Sequence, residues 1–198
     1  VELLRPLVKV KLNLEMAATD EMIEIARRIG PHTSMLVPEG RDEVTTEGGL
    51  DVAGQKPRMR EVVDRLRDGG MLVSAFIDAD EAQIDACAEL GFDICEIHTG
   101  PYAHAWHGEG GDFRREPLRL ELARVSAAGE LIRKHGMRFN AGHALSYHNV
   151  EPIAALPGIE ELHIGHAIVS RAVFVGLREA VREMKAIMRG AAFRGGPA

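Results

Sequence analysis

Six short apolar runs, each followed by a segment with the 3.6-residue period of a helix, limit what this chain can fold into. The runs are 8–16 (VKVKLNLEM), 33–37 (TSMLV), 71–77 (MLVSAFI), 93–98 (DICEIH), 137–141 (MRFNA) and 161–165 (ELHIG). Helices are predicted between and after them. The first spans 19–29, with Thr19 as N-cap and Met22, Ile23, Ala26 and Ile29 on one stripe. Others follow at 57–68, opened by Pro57, at 80–90, closed by Gly91, at about 117–135, at 148–156 and at about 170–189. Strands that alternate with helices pair in parallel, because a parallel connection needs a crossover. A doubly wound sheet usually carries a G-x-G-x-x-G first turn, and none is present. A (β/α)8 barrel instead sets its functional residues just past the C-terminal ends of its strands. That is the pattern here. The reading is an α/β chain of the TIM (β/α)8 type, one incomplete barrel domain over residues 1–198, with about six of eight βα units present.

The formal charge of −6 and the lack of a Lys/Arg run argue against a nucleic-acid face. No stretch approaches the ~20 apolar residues of a membrane span, and VELLRPLVKV is not a signal peptide. Cys87 and Cys95 sit in apolar surroundings and read as buried and reduced. A cytoplasmic location is the expectation.

The strand ends carry the chemistry. Glu15 closes LNLEM, either as an acid or base or as a salt-bridged structural residue. Glu96 repeats the pattern in CEIHTG, with His98 on the same strand face, either a partner of the site or, the favoured reading, a packed interior histidine. NAGHAL and LHIGHAIV then place His143 and His166 directly after a glycine. Glycine lets backbone approach a ligand, and histidine exchanges protons near neutral pH. The loop 44–54, VTTEGGLDVAG, has threonine hydroxyls and backbone N–H groups suited to an anion or a lid. A metal site drawn from His98, His143 and His166 ranks second, since no Cys joins them and no H-E-x-x-H is present. His32, His107 and His135 read as solvated, and His148 as a cap or packing residue.

LNLEMA, VTTEGGLDVAGQ, FIDAD, EIHTG, NAGHALSYHNV and IGHAI together resemble the successive strand-end motifs of the pyridoxine 5′-phosphate synthase family, from about residue 12 to 188. The resemblance implies a (β/α)8 barrel, usually a homo-octamer. It implies condensation of 3-amino-2-oxopropyl phosphate with 1-deoxy-D-xylulose 5-phosphate into pyridoxine 5′-phosphate, with release of phosphate and water. Neither metal nor organic cofactor is implied. By motif, Glu15 is the proton acceptor, Glu96 stabilises charged intermediates and His143 is the proton donor. Thr45 holds the pentulose phosphate, Gly165 and His166 hold the aminooxopropyl phosphate, and Ala144 touches substrate.

Two departures stand out. The family's first two βα units, with an H-x-R-x-D-x-R-H segment, have no counterpart in VELLRPLVKVKLNLE, so the chain reads as starting in the helix before the third strand. On this reading the isolated 198 residues form a poor synthase. Ala144 stands where the family usually has Gly, tolerable if φ is negative there and costly if it is positive.

Overall fold

The protein is described here from a computed structural model that covers residues 1–38 and 48–194. The strands are β1 (Asn13–Met16), β2 (Thr33–Leu36), β3 (Leu72–Ile77), β4 (Ile94–His98), β5 (Arg138–Gly142) and β6 (Ile159–His163). The helices are α1 (Asp20–Ile29), α2 (Lys56–Asp68), α3 (Glu81–Leu90), α4 (Gly100–Gly108), α5 (Glu116–Lys134), α6 (Val150–Ala154), α7 (His166–Val175) and α8 (Leu177–Arg194). Every strand pairs in parallel with its sequence neighbour, in the order β1-β2-β3-β4-β5-β6. A doubly wound sheet would reverse its strand order at a switch point. This sheet never does, and it curls as six βα units of a TIM-like barrel, with β1 and β6 at its two edges.

Strand alternation divides the side chains into two sets. Leu14, Leu36, Val73, Ala75, Ile77, Cys95, Ile97, Phe139 and Ala141 face the helices and form one apolar core with Ile23, Val62, Val63, Leu66, Ile84 and Ile132. Asn13, Glu15, Ser74, Phe76, Glu96, His98, Arg138, Asn140, Glu161 and His163 occupy the alternate positions, inside the curl. The inner face is therefore unusually polar. Asn13 Oδ1, Ser74 Oγ and Asn140 Oδ1 are buried there without a hydrogen-bond partner among the described residues. Cys87 and Cys95 are free and buried, as their surroundings suggested.

Helix ends follow their sequence signals. Thr19 Oγ1 accepts from Met22 N at 3.3 Å and Asp80 Oδ1 from Gln83 N at 3.1 Å, each satisfying an orphan N–H. Three elements differ from the sequence reading. Residues 8–12 do not extend β1: His32 N donates to Leu12 O, but beyond that point Gly30 turns the neighbouring chain away, and Val10 is left exposed. The segment after Thr99 is a helix, α4, whose histidines and glycines mask its period, while Tyr102 and Ala103 are buried. The last helix is two, because Gly176 adopts φ 81° between α7 and α8. Val169, Val173, Phe174 and Leu177 lie exposed at this junction, close in sequence to the β6 edge. No helix among the described residues is long and apolar enough to cross a membrane.

Candidate active site

The C-terminal ends of β1, β4, β5 and β6 open onto a cavity of about 960 Å³. Glu15, Glu96, His143, Ala144, Gly165 and His166 all line it, so six of the seven site residues read from sequence meet in one place. Thr45, the seventh, lies outside the described residues. From Gly48 onward the chain is described, and its first contacts are informative. Leu50 N donates to Phe76 O at 2.7 Å. A methyl on Gly49 would overlap the Asp78 amide and sit 2.5 Å from the Ile77 carbonyl carbon. The second glycine of EGG is thus a backbone-on-backbone contact that brings the loop to the end of β3.

His143 leaves β5 in a strained turn. His143 has φ 78° and Ala144 φ 57°, the two described non-glycine residues with positive φ. Such geometry persists only when its surroundings over-determine it. Here Thr99, fully buried, aims its hydroxyl at the carbonyl oxygens of Gly142 (2.7 Å) and His143 (2.6 Å), and its amide donates to Gly142 O at 2.9 Å. On the far side Asn149 Nδ2 donates to Ala144 O at 3.2 Å while its Oδ1 accepts from Ser146 N at 2.6 Å. Tyr102 of α4 donates to Asn149 O at 2.9 Å. The TG of EIHTG and the N of YHNV are the turn's clamps. His148 is exposed, and Asn149 rather than His148 closes the turn.

Ala144 falls in the costly case set by its φ. A left-handed conformation costs an L-residue ~1–2 kcal/mol, against which glycine's extra unfolded-state freedom offsets ~0.5–1 kcal/mol. Ala144→Gly is therefore expected to stabilise the fold by about 0.5–1 kcal/mol, a Tm rise of about 1–4 °C, measurable by calorimetry. A lower Tm would show that the turn is not strained at this residue.

The rings of Phe76 and His143 line the cavity, and His98 packs against both, edge to face with His143 at a centroid distance of 5.0 Å. Partial burial, with the His98 and His166 imidazoles nearby, pushes His143 below the ordinary histidine range. His98 is buried, as read, but it also meets Asp78 Oδ1 through Nδ1 at 2.9 Å, and this hydrogen bond lowers the Asp78 carboxyl. His107 is exposed; His32 and His135 are exposed too, yet each makes a hydrogen bond, to Leu12 N and Asp85 Oδ1. Glu96 is buried, and burial pushes it up. Its partner, His163, was not singled out from the sequence. In ELHIGH it is overshadowed by the G-H pair two residues on, although period-2 alternation puts it on the face of the curl that Glu161 shares. No group of three or more His, Cys, Asp or Glu among the described residues is arranged to hold a metal ion.

The arrangement offers a carboxylate on β1, a buried carboxylate on β4, an imidazole on the β5 turn and the free N-terminal amides of α7, which begins at His166. Such a set can move protons from two sides of a substrate and receive an anion at a helix N-terminus. Comparisons with known proteins agree with one another. The chain is 64% identical over 192 residues to the pyridoxine 5′-phosphate synthase of Azoarcus sp. (strain BH72), covering 97% of this chain and 77% of that one. It is 62% identical over 195 residues to the enzyme of that name from Dechloromonas aromatica (strain RCB), covering 98% and 78%. Among solved structures it is similar to a chain in the Amycolatopsis orientalis BexX/CysO complex, at 26% identity and TM-score 0.54, covering 88% of this chain and 62% of that one. The family model described as pyridoxal phosphate biosynthesis protein PdxJ matches residues 1–190, and with the strand-end residues of that pattern gathered at one barrel mouth, the chain belongs to this family.

Proposed function

We propose that this chain forms pyridoxine 5′-phosphate by condensing 3-amino-2-oxopropyl phosphate with 1-deoxy-D-xylulose 5-phosphate, releasing phosphate and water. One observation carries the reading: Glu15, Glu96, His143 and the α7 N-terminus, far apart in sequence, line one cavity at the strand ends. Joining an amine to a carbonyl, expelling water and closing a ring require repeated proton transfers on both sides of the nascent ring. Glu15, exposed at the cavity rim, takes the proton that leaves carbon. His143, held low by burial and neighbouring imidazoles, begins neutral at pH 7, collects a proton and returns it to a departing oxygen. Glu96, buried beneath them, balances positive charge on the iminium-like intermediates. Gly165 and His166 receive the aminooxopropyl phosphate on the α7 N–H groups, without adding positive charge to a chain whose formal charge is −6. Thr45 holds the pentulose phosphate, and Ala144 lies against substrate. None of these steps calls for a metal or organic cofactor. A cytoplasmic homo-octamer built on one barrel domain completes the proposal.

The product of the complete reading frame containing these residues is expected to make pyridoxine 5′-phosphate only when both substrates are supplied, with matching phosphate release. Absence of product from both together would overturn the reading. Prepared as these 198 residues alone, the chain presents the β1 and β6 edges and the exposed Val173 and Phe174. It is expected to turn over poorly and to self-associate on size-exclusion columns, since unpaired edges and apolar patches recruit other chains. Robust turnover by a monomeric 198-residue preparation would refute this.

A further inference from the structure

The least explained charged group in the curl is His163. It sits on β6 with its Nδ1 hydrogen-bonded to Glu96 Oε2 and its Nε2 3.6 Å from Glu161 Oε2. Glu161 is in turn paired with Lys11, from the segment before β1, and with Arg138 Nη2 of β5 at 3.1 Å. Glu15 of β1 adds a further carboxylate within electrostatic reach. The imidazole therefore lies between two carboxylates, hydrogen-bonded to Glu96 through Nδ1 and at ion-pair distance from Glu161 through Nε2, a setting that favours its doubly protonated form. Gly142 contributes on the other side. A Cβ at Gly142 would overlap Glu96 Oε1, so the second carboxylate oxygen rests against the glycine that precedes His143. With Oε2 held by His163 and Oε1 seated on Gly142, the Glu96 carboxylate has one orientation.

We propose that His163 is a positioning residue for Glu96: its imidazolium, gripped between Glu96 and Glu161, fixes the direction of the Glu96 carboxylate and keeps it ionised inside the barrel. This rests on the role given to Glu96 above. A lone buried carboxylate would be protonated and would lose the charge needed to balance a cationic intermediate. The electrostatics agree with the geometry. Burial alone would push His163 down, yet the hydrogen bond and charge of Glu96, with Glu161 and Glu15, carry it above the ordinary histidine value. The sign of the linkage follows. A histidine raised in the fold contributes stability that is full below its unfolded value of ~6.5 and is lost as pH rises through its folded value.

The test has two arms. Imidazole 15N shifts of His163, followed against pH in the parent chain, are expected to show a midpoint above the ~6.5 of a free histidine. Glu96→Gln should lower that midpoint, and Glu161→Gln should lower it by less. A parent midpoint at or below the free value, or one unmoved by Glu96→Gln, overturns the pairing whether or not any preparation is active. In the active protein, His163→Asn keeps a neutral donor but removes the charge. It is expected to lower kcat, leave both KM values within about twofold, and abolish the alkaline limb that deprotonation of His163 places on the rate. A merely structural role would leave that limb in place, and its persistence in His163→Asn overturns the positioning role. Failure of the synthase reading shows separately, as a lack of product in the parent itself.

Discussion

His143→Asn is expected to lower turnover by roughly 10²–10⁴-fold, the usual worth of a positioned proton-transfer group. Asparagine suits this test because it tolerates positive φ better than most residues, and His143 sits at φ 78°. Alanine would confound lost chemistry with backbone strain. The clamps on the turn do not depend on the imidazole: Thr99 holds the carbonyls of Gly142 and His143, and Asn149 that of Ala144. The variant should therefore melt within ~0.5 kcal/mol of the parent, as surface and half-exposed changes usually do. Wild-type turnover in His143→Asn would remove this histidine from the mechanism. The pH profile offers a companion check. Because burial and its neighbours hold His143 low, the acid limb assigned to it should lie below the ordinary histidine midpoint, and it should vanish in the variant.

Gly142→Ala should damage both the fold and the site. The new Cβ would overlap Glu96 Oε1, sit 3.1 Å from Glu96 Cδ and lie 3.0 Å from the carbonyl oxygen of His163. The strand carbonyl cannot retreat without breaking the β5–β6 ladder. The Glu96 side chain must move instead, and being buried it has little room. Overpacking of this kind costs about 1–3 kcal/mol, to be read from urea denaturation. A carboxylate displaced by about 1 Å is enough to lose ~10²-fold in kcat. A double-mutant cycle isolates the cause. If the clash is with Glu96, most of the stability loss disappears when Gly142→Ala is made in a Glu96→Ala background. Equal losses in both backgrounds would place the conflict elsewhere.

The barrel was legible because its periods are strong: six apolar runs and their intervening helices predicted parallel order, and the sheet follows it strand by strand. Legibility failed where tertiary contacts overrule local pattern. The run 8–12 alternates like a strand, yet it has no neighbour to pair with beyond His32. Helix α4 hides its buried Tyr102 and Ala103 among His104, His107 and Gly108. At the site, strand-end glutamates and G-H dipeptides stood out because such residues are rare at the ends of apolar runs. Asp78 and His163 did not stand out, and His98, a candidate partner, reads first as a packed residue. A pairing between β3 and β4, or between β4 and β6, is invisible until the curl brings the strands together.

The neighbour-to-neighbour order of the sheet bears on how the pocket comes into being. Each strand can dock as soon as its predecessor is in place, so every ladder closes over a short stretch of chain and no early strand waits for a distant one. The pocket is different. Its walls come from β1 at one edge and β6 at the other, and the Lys11–Glu161 ion pair joins groups 150 residues apart. Most of the hydrophobic core can therefore consolidate while the carboxylates of Glu15 and Glu96 still face water. The cavity therefore takes shape only once β6 and the start of α7 stand beside the strands before them.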